Sequence, residues 1–395
     1  MRRDDIRRLQ EEYGPRQFVQ LVCDVLEGDK LPNGTELKMK DSEFSLRALW
    51  EGLVGPVEET LPSKRASALY VDMREEVNTS SFVAVTKLLL ANRVIEGYNM
   101  QRGIGDQLVS TMNSTRRLEN VAGFTSVAGL LEVKESEAYL DSGIEDKYVT
   151  TEAIKKGRII SISEEAIMED QTGQLLVRAQ RIGEAAAQER EKTIIHGVID
   201  LNSNVYRPSG VPTALYSGDT GHKNLIGDGT SPAGWTTAIA LEDWTDLQEV
   251  LQYHAEEVST DRQIGDNEPI LWNPNILLVP PALEGTGMRI VNATTVESTA
   301  TNQRTVFNNP MARRFTVLSS PYIPRSGITG ADADWYLGEF SRQFFWQEIW
   351  PIQVFRQDAN SESAFAADLV ARFKVRYLGG IFSADHRLVM KVKGS

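Results

Sequence analysis

The stretch LLVRAQRIGEAAAQEREKTIIHGVID, residues 175–200, decides the fold. Leu175, Ala179, Ile182, Ala186, Thr193 and Gly197 recur at the three-, four- and seven-residue intervals of one helix face. No proline interrupts them. At 1.5 Å per residue the predicted helix is roughly 38 Å long, more than a globular domain usually holds. Charge surrounds the stripe through Arg178, Arg181, Glu184, Glu189, Arg190, Glu191 and Lys192. Such a helix is expected to be only partly buried. Its middle, GEAAAQE at 183–189, is thin enough for another backbone to approach closely.

The flanks on either side read as less self-sufficient. Upstream, SVAGLLEVKESEAYL (126–140) and YVTTEAIKKGRIISISEEAIM (148–168) show the period-2 pattern of two strands. Polar, charged residues separate and flank them, so the predicted hairpin is long and poor in apolar side chains. A hairpin of that kind is marginal in water and needs a neighbour to lie on. Residues 1–62 form a polar, mixed-charge leader. Within it Phe44, Leu46, Leu49, Trp50 and Leu53 make a short amphipathic helix that Gly55 and Pro56 stop. A further helical stretch runs over 80–100. Downstream, residues 202–236 are rich in Gly, Pro, Ser, Asn and Asp and predict a long irregular loop, functional or mobile.

Beyond the loop the pattern tightens. EDWTDLQEVLQYHAEEVST (242–260) is an amphipathic helix with Trp244, Leu247, Leu251 and His254 on one side. NILLVPPALEGTGMRIVNA (275–293) gives a buried strand, a Pro-Pro break and a helix or turn, and 313–323 and 331–340 give two more strands. In VARFKVRYLGG (370–380), Ala371, Phe373, Val375 and Tyr377 alternate with Arg372, Lys374 and Arg376. Gly379-Gly380 is expected to turn the chain into HRLVMKVKG, where Leu388, Met390 and Val392 alternate again. One face of that sheet is apolar. The other is basic, either solvated or set against an acidic neighbour chain.

Little points to chemistry. The chain has 395 residues, 41% hydrophobic and 25% charged, with a net charge of −13. That charge speaks against tight phosphate binding. Cys23 stands alone, so no intrachain disulfide or cysteine zinc cluster can form. The four histidines, His196, His222, His254 and His386, make no HExxH or HxxxH pattern. There is no GxSxG elbow and no GxxxxGK[ST] loop. RGIGDQ, with Gly103 and Gly105, lacks the third glycine of a dinucleotide fingerprint. Asp332 and Asp334 lack the downstream glutamate of a calcium loop and read as a surface turn. His254 reads as a core residue. No catalytic, cofactor-binding or metal residue is assigned, and an enzyme is not expected. The start lacks the apolar core of a signal peptide, and no apolar run nears the ~20 residues of a bilayer span. No membrane partner is expected, and the lone thiol suits a reducing, cytosol-like compartment.

The order of these features resembles the tailed-bacteriophage major capsid proteins, whose shell fold encapsulins share. Three stretches are similar to that family: residues 164–197 at the junction of extended loop and spine helix, 276–292 in the axial domain, and 368–394 in the closing strands. The resemblance covers about three quarters of the chain. It implies an α+β fold with an N-terminal arm (1–112), an extended two-stranded loop (113–168), the spine helix and irregular loop of the peripheral domain (169–243), an axial domain (244–345), and peripheral-domain closing strands and tail (346–395).

It further implies self-assembly as hexamers and pentamers into an icosahedral head enclosing double-stranded DNA without sequence-specific binding. Portal, scaffolding or decoration proteins would be partners. The site of action would be the virion capsid, assembled in the host bacterial cytoplasm. Some relatives crosslink an extended-loop lysine to a neighbouring asparagine. Lys134, Lys147, Lys155 and Lys156 lie in that region, and none is assigned the reaction. The alternatives are an encapsulin-type nanocompartment and, from another class, a cytosolic enzyme with an unrecognised site.

Overall fold

Two mixed sheets and two ribbons carry the chain. The computed structural model describes residues 86, 89–101, 103–122, 148–163, 174–218, 222–232, 234–258, 272–300, 303–323, 333–357 and 369–394. The leader with its 44–53 helix, Cys23, the strand expected over 126–140, Lys134, Lys147 and Asp332 all fall outside these residues.

The first sheet has the order β1-β11-β12-β4, from β1 (Ser110–Asn113), β11 (Phe344–Gln357), β12 (Leu369–Ser383) and β4 (Ile154–Ser163). The pattern read in 370–380 holds there: Phe373, Val375 and Tyr377 are buried, whereas Arg372, Lys374 and Arg376 keep solvent access. The expected turn at Gly379-Gly380 is not made, and β12 runs straight through it. Both glycines are needed for close approach instead. A Cβ on Gly379 would lie 2.7 Å from the Trp346 ring, and one on Gly380 would press on the Glu152 carbonyl oxygen. β1 joins β11 in parallel, from Ser110 opposite Phe345 to Asn113 opposite Glu348.

β4 corrects a second expectation. Residues 154–163 were expected to extend the hairpin, and they lie in the sheet beside β12. Gly157 permits this, because a Cβ there would come 2.7 Å from the Val375 carbonyl oxygen. The ribbon itself pairs β2 (Leu118–Ala122) with β3 (Tyr148–Glu152), antiparallel, from Leu118 opposite Glu152 to Ala122 opposite Tyr148.

The second sheet has the order β5-β13-β10-β6-β9: β5 (Leu225–Ile226), β13 (Val389–Val392), β10 (Trp335–Gly338), β6 (Ile276–Val279) and β9 (Thr316–Ser319). The last strand of the tail therefore pairs with β10 and β5, not with the peripheral strands beside which the sequence set it. Another ribbon, β7 (Thr295–Ala300) with β8 (Gln303–Asn308), stands apart from both sheets.

The longer helices among the described residues are α1 (89–100), α2 (Gln174–Val198), α3 (Trp244–Tyr253) and α4 (Glu284–Asn292). α3 starts at a capping box: Asp243 accepts from the Thr245 amide at 2.7 Å, and Asp246 accepts from the Asp243 amide at 2.8 Å. Leu247, Val250 and Tyr253 on α3 and Ile290 and Val291 on α4 join Leu277, Val279, Trp335, Leu337, Met390 and Val392 in one core. The strands here are four residues or fewer, so this cluster rather than ladder length must stabilise the sheet.

The contacts divide the chain into two units. The first is Met1–Arg102, Lys155–Glu189 and Trp350–Leu378; the second is Gly103–Ile154, Arg190–Ile349 and Gly379–Ser395. α2, β11 and β12 contribute residues to both.

Candidate assembly surfaces

In the first unit, α2 meets α1 through glycines. A Cβ on Gly183 would lie 2.8 Å from the Tyr98 amide nitrogen and nearer still to the Val94 carbonyl oxygen. A Cβ on Gly97 would strike the carbonyl of Gln180. The thin middle read in the sequence is thus the contact of two backbones. The buried line of α2 is Leu176, Ala179, Gly183, Ala187, Glu191, Ile194 and Val198. It lies one position away from most of the predicted stripe: Ile182, Ala186 and Thr193 are half-buried, while Ala179 and Gly197 are on target. A stripe chosen by hydrophobicity favours Ile182 over Gly183, and packing favours the smaller residue here. Ile95 and Met100 on α1 and Val177 on α2 remain exposed.

In the second unit, the end of α2 is gripped by the RGIGDQ segment. The Gly105 amide donates to both carboxylate oxygens of Glu191, at 2.9 and 3.0 Å. A Cβ on Gly103 or Gly105 would come within 2.5 Å of that carboxylate. Burial pushes the Glu191 carboxyl above its ordinary range, while the Gly105 and Ile104 amides pull it back. Arg190 pairs with Asp106 at 2.5 Å and stacks over Trp346 at 5.1 Å. The two glycines therefore make room for a carboxylate of the chain itself. Sequence reading missed this because Gly105 and Glu191 are 86 positions apart.

The β2–β3 ribbon has the neighbour it needed. The irregular loop lies along β3: the Thr150 amide donates to Arg207 at 3.1 Å, and the Ser209 amide donates to Tyr148 at 3.0 Å. Arg207 also pairs with Glu152 at 2.5 Å. The loop is tied down in turn, since the Leu215 amide donates to Asp200 at 2.6 Å and Tyr216 donates to the Val198 carbonyl at 2.7 Å. Burial lifts Asp200 to about 6 against the pull of three loop amides. Leu118 and Tyr148, at opposite ends of the ladder, and Ile154 at the start of β4 remain exposed.

The basic face of the first unit is ordered by aromatic rings. The Arg376 guanidinium lies 4.3 Å from the Trp350 ring centre and 4.2 Å from that of Phe355. Lys155 sits over Trp350 at 6.0 Å and Lys374 over Phe355 at 5.6 Å. The Nε atoms of Arg372 and Arg376 are buried without a hydrogen-bond partner. Lys156, by contrast, pairs with Glu189 at 2.6 Å.

The residues weighed for chemistry fall in separate places. His254 is buried, its Nε2 is 2.7 Å from the Arg387 carbonyl oxygen, and its ring stacks on Trp272 at 3.6 Å. Burial lowers its pKa to about 4, which fits a neutral core histidine. His222 and His386 stack at 4.2 Å, with Tyr206 edge-on to both. Asp334 is buried and pairs with Lys391 at 3.3 Å, so the surface turn expected there is corrected at this residue. Among the described residues no three His, Cys, Asp or Glu side chains gather to hold a metal ion, and no helix is long and apolar enough to cross a membrane.

A family model described as phage capsid protein matches residues 147–392, more than half of the chain. The chain belongs to the phage capsid protein family. It is a structural subunit of a capsid shell, and its place is the virion capsid. No curated protein matches it in sequence. Among solved structures it is similar to a virus-like particle from Pyrococcus furiosus, with 9% identity over 77% of this chain and 97% of that one and a TM-score of 0.43. It is also similar to a structure of Mycobacterium phage Cain, with 13% identity over 74% and 90% and a TM-score of 0.42. A third is the holo-SrpI encapsulin complex of Synechococcus elongatus, with 12% identity over 73% and 85% and a TM-score of 0.41. The family match holds the whole of α2 and of the second sheet. The glycine contact on Gly183, the Glu191 grip and the braced ribbon therefore belong to a capsid subunit.

Proposed function

We propose that this chain is the major subunit of an icosahedral head, assembling as hexamers and pentamers around double-stranded DNA. The observation that carries the reading is the capsid family match over residues 147–392. The braced ribbon supports it. A two-stranded ribbon with Leu118 exposed at one end of its ladder and Tyr148 at the other offers apolar surface to another copy. Heterologous contacts of that kind close into rings and shells.

In this reading residues 1–112 act as an arm, the part of 113–168 that precedes β4 as an extended loop, α2 as the spine, and 244–345 with β13 as the axial body. A net charge of −13 suits a container that must not adhere to its contents. Assembly takes place in the host bacterial cytoplasm, with portal, scaffolding or decoration proteins as partners, and the subunit carries no catalytic site of its own.

The test is the content of purified particles. Nuclease-protected double-stranded DNA is the expected result. Particles that hold a protein cargo and no DNA would place the chain with nanocompartment shells instead.

A further inference from the structure

Within the second unit, Lys391 and Asp334 meet away from water. Among the described residues two lysines pair with carboxylates. The side chains of Lys156 and Glu189 are 31% and 47% exposed, whereas those of Lys391 and Asp334 are 21% and 8% exposed. The Lys391 Nζ lies 3.3 Å from Asp334 Oδ2 and 5.7 Å from the Tyr336 ring centre. Asp334 Oδ1 is buried with no hydrogen-bond partner. A carboxylate taken out of water normally fills its remaining lone pairs, and one cation compensates poorly for its burial. Trp335, Tyr336, Met390 and Val392, on the two strands that carry the pair, are buried and help to exclude water.

A second buried carboxyl stands by. Asp200 is close enough to feel the Lys391 charge, and both Asp200 and Asp334 act on Tyr336. The Asp200 Oδ1 is likewise buried without a hydrogen-bond partner. Burial lifts this carboxyl to about 6, so it keeps a proton at a pH where an ordinary aspartate has lost one. An amine, an acyl carbon and a proton donor thus share one poorly solvated site. Those are the parts that acid-assisted acyl transfer to an amine needs.

We infer that Lys391 and Asp334 condense to an amide within one chain, with Asp200 as the proton donor. One ammonium proton first moves to the Asp334 carboxylate. The Nζ lone pair then bonds to Asp334 Cγ. A Cγ–O bond breaks, and the hydroxyl leaves as water with a proton from Asp200. Asp200 regains a proton from Nζ, which leaves the amide. The ion pair holds every atom of amide plus water, so no oxidant or other reactant is consumed. Groups held side by side react with effective molarities of ~10⁵–10⁸ M, and the neutral product removes two charges from a buried place. The bond ties β13, four residues long, to the segment before β10. It involves no extended-loop lysine and no second copy, and it does not depend on the head reading.

The test is the intact mass of the purified full-length chain after denaturation. It should be one water lighter than the sequence requires. A tryptic peptide should join Lys391 to Asp334, with no cleavage after Lys391. Lys391→Arg keeps the charge and lacks the amine, so it should show the full mass and an unchanged circular dichroism spectrum. Asp200→Asn should close about a hundredfold more slowly or worse, followed by mass after cell-free synthesis. The native rate should fall as pH rises above about 6, and the variant's rate should not. A native chain at full sequence mass, or a water lost at another residue instead, overturns the bond. An Asp200→Asn chain that closes at the native rate overturns the role given to Asp200. If Lys391→Arg does not fold, the mass and peptide map of the native chain still decide.

Discussion

Replacing Gly183 by Ala tests the α1–α2 crossing. On an exposed helix face the change should stabilise, since Ala exceeds Gly in helix propensity by ~0.8–1.0 kcal/mol. Here the new Cβ would sit 2.8 Å from the Tyr98 nitrogen and 2.9 Å from the Val94 carbonyl carbon. Non-bonded heavy atoms settle at ~3.5 Å or beyond, so the two backbones must part by at least ~0.7 Å. The obstacle is main chain and cannot swing aside. Overpacking of this kind costs ~1–3 kcal/mol, more than the propensity gain over most of that range. Gly183→Ala should therefore lower the unfolding free energy measured in urea, by a net of up to ~2 kcal/mol. Ala185 is exposed on the same helix and is the control. Ala185→Gly should cost ~1 kcal/mol from propensity alone. Gly97→Ala strains the same crossing, so its effect with Gly183→Ala should not add. If Gly183→Ala raises the unfolding free energy by ~1 kcal/mol, the backbones do not meet there.

Three further outcomes follow from the second unit. Burial lifts Asp200 from 3.8 to about 6, so the native state holds that proton more tightly than the unfolded chain. Its stabilising effect is complete below the unfolded value and is lost as pH rises through about 6. Asp200→Asn should remove a pH dependence of about 3 kcal/mol in the unfolding free energy between those limits, and an unchanged pH slope would count against the burial. His254 is lowered to about 4, so its contribution is present above 6.5 and fades as pH falls toward 4. By NMR its imidazole should remain neutral at pH 5, and a midpoint near 6.5 would remove it from the core. Gly380→Ala forces a Cβ against the Glu152 carbonyl and to 3.2 Å from the Ala153 Cα. It should cost ~1–3 kcal/mol in thermal or urea unfolding, whereas a turn at that position would tolerate it.

Elements whose partners lie along the same stretch of chain were legible. α2 runs over Gln174–Val198, close to the stretch read as a helix, because length, small residues and unbroken periodicity all agree. The alternation of β12 and the amphipathic α3 were readable for the same reason. What escaped depends on distant partners. Gly379 and Gly380 have the composition of a turn, and only Trp346 and Glu152 packed against them show why a strand needs them. Gly103 and Gly105 resemble half of a phosphate loop until Glu191 is seen in their place. The parallel pairing of β1 with β11 joins residues more than two hundred positions apart and leaves no local signal. The basic row of Arg372, Lys374 and Arg376 was visible as a pattern. The rings of Trp350 and Phe355 that order it were not.

The measurement closest to the central claim is the mass and form of the purified full-length chain under assembly conditions. Mass photometry should show capsomers and much larger particles, and cryo-electron microscopy should show those particles as closed shells of icosahedral symmetry. A single sharp species near 44.0 kDa that never grows, at any salt or protein concentration, would contradict the assignment of this chain to a self-assembling head.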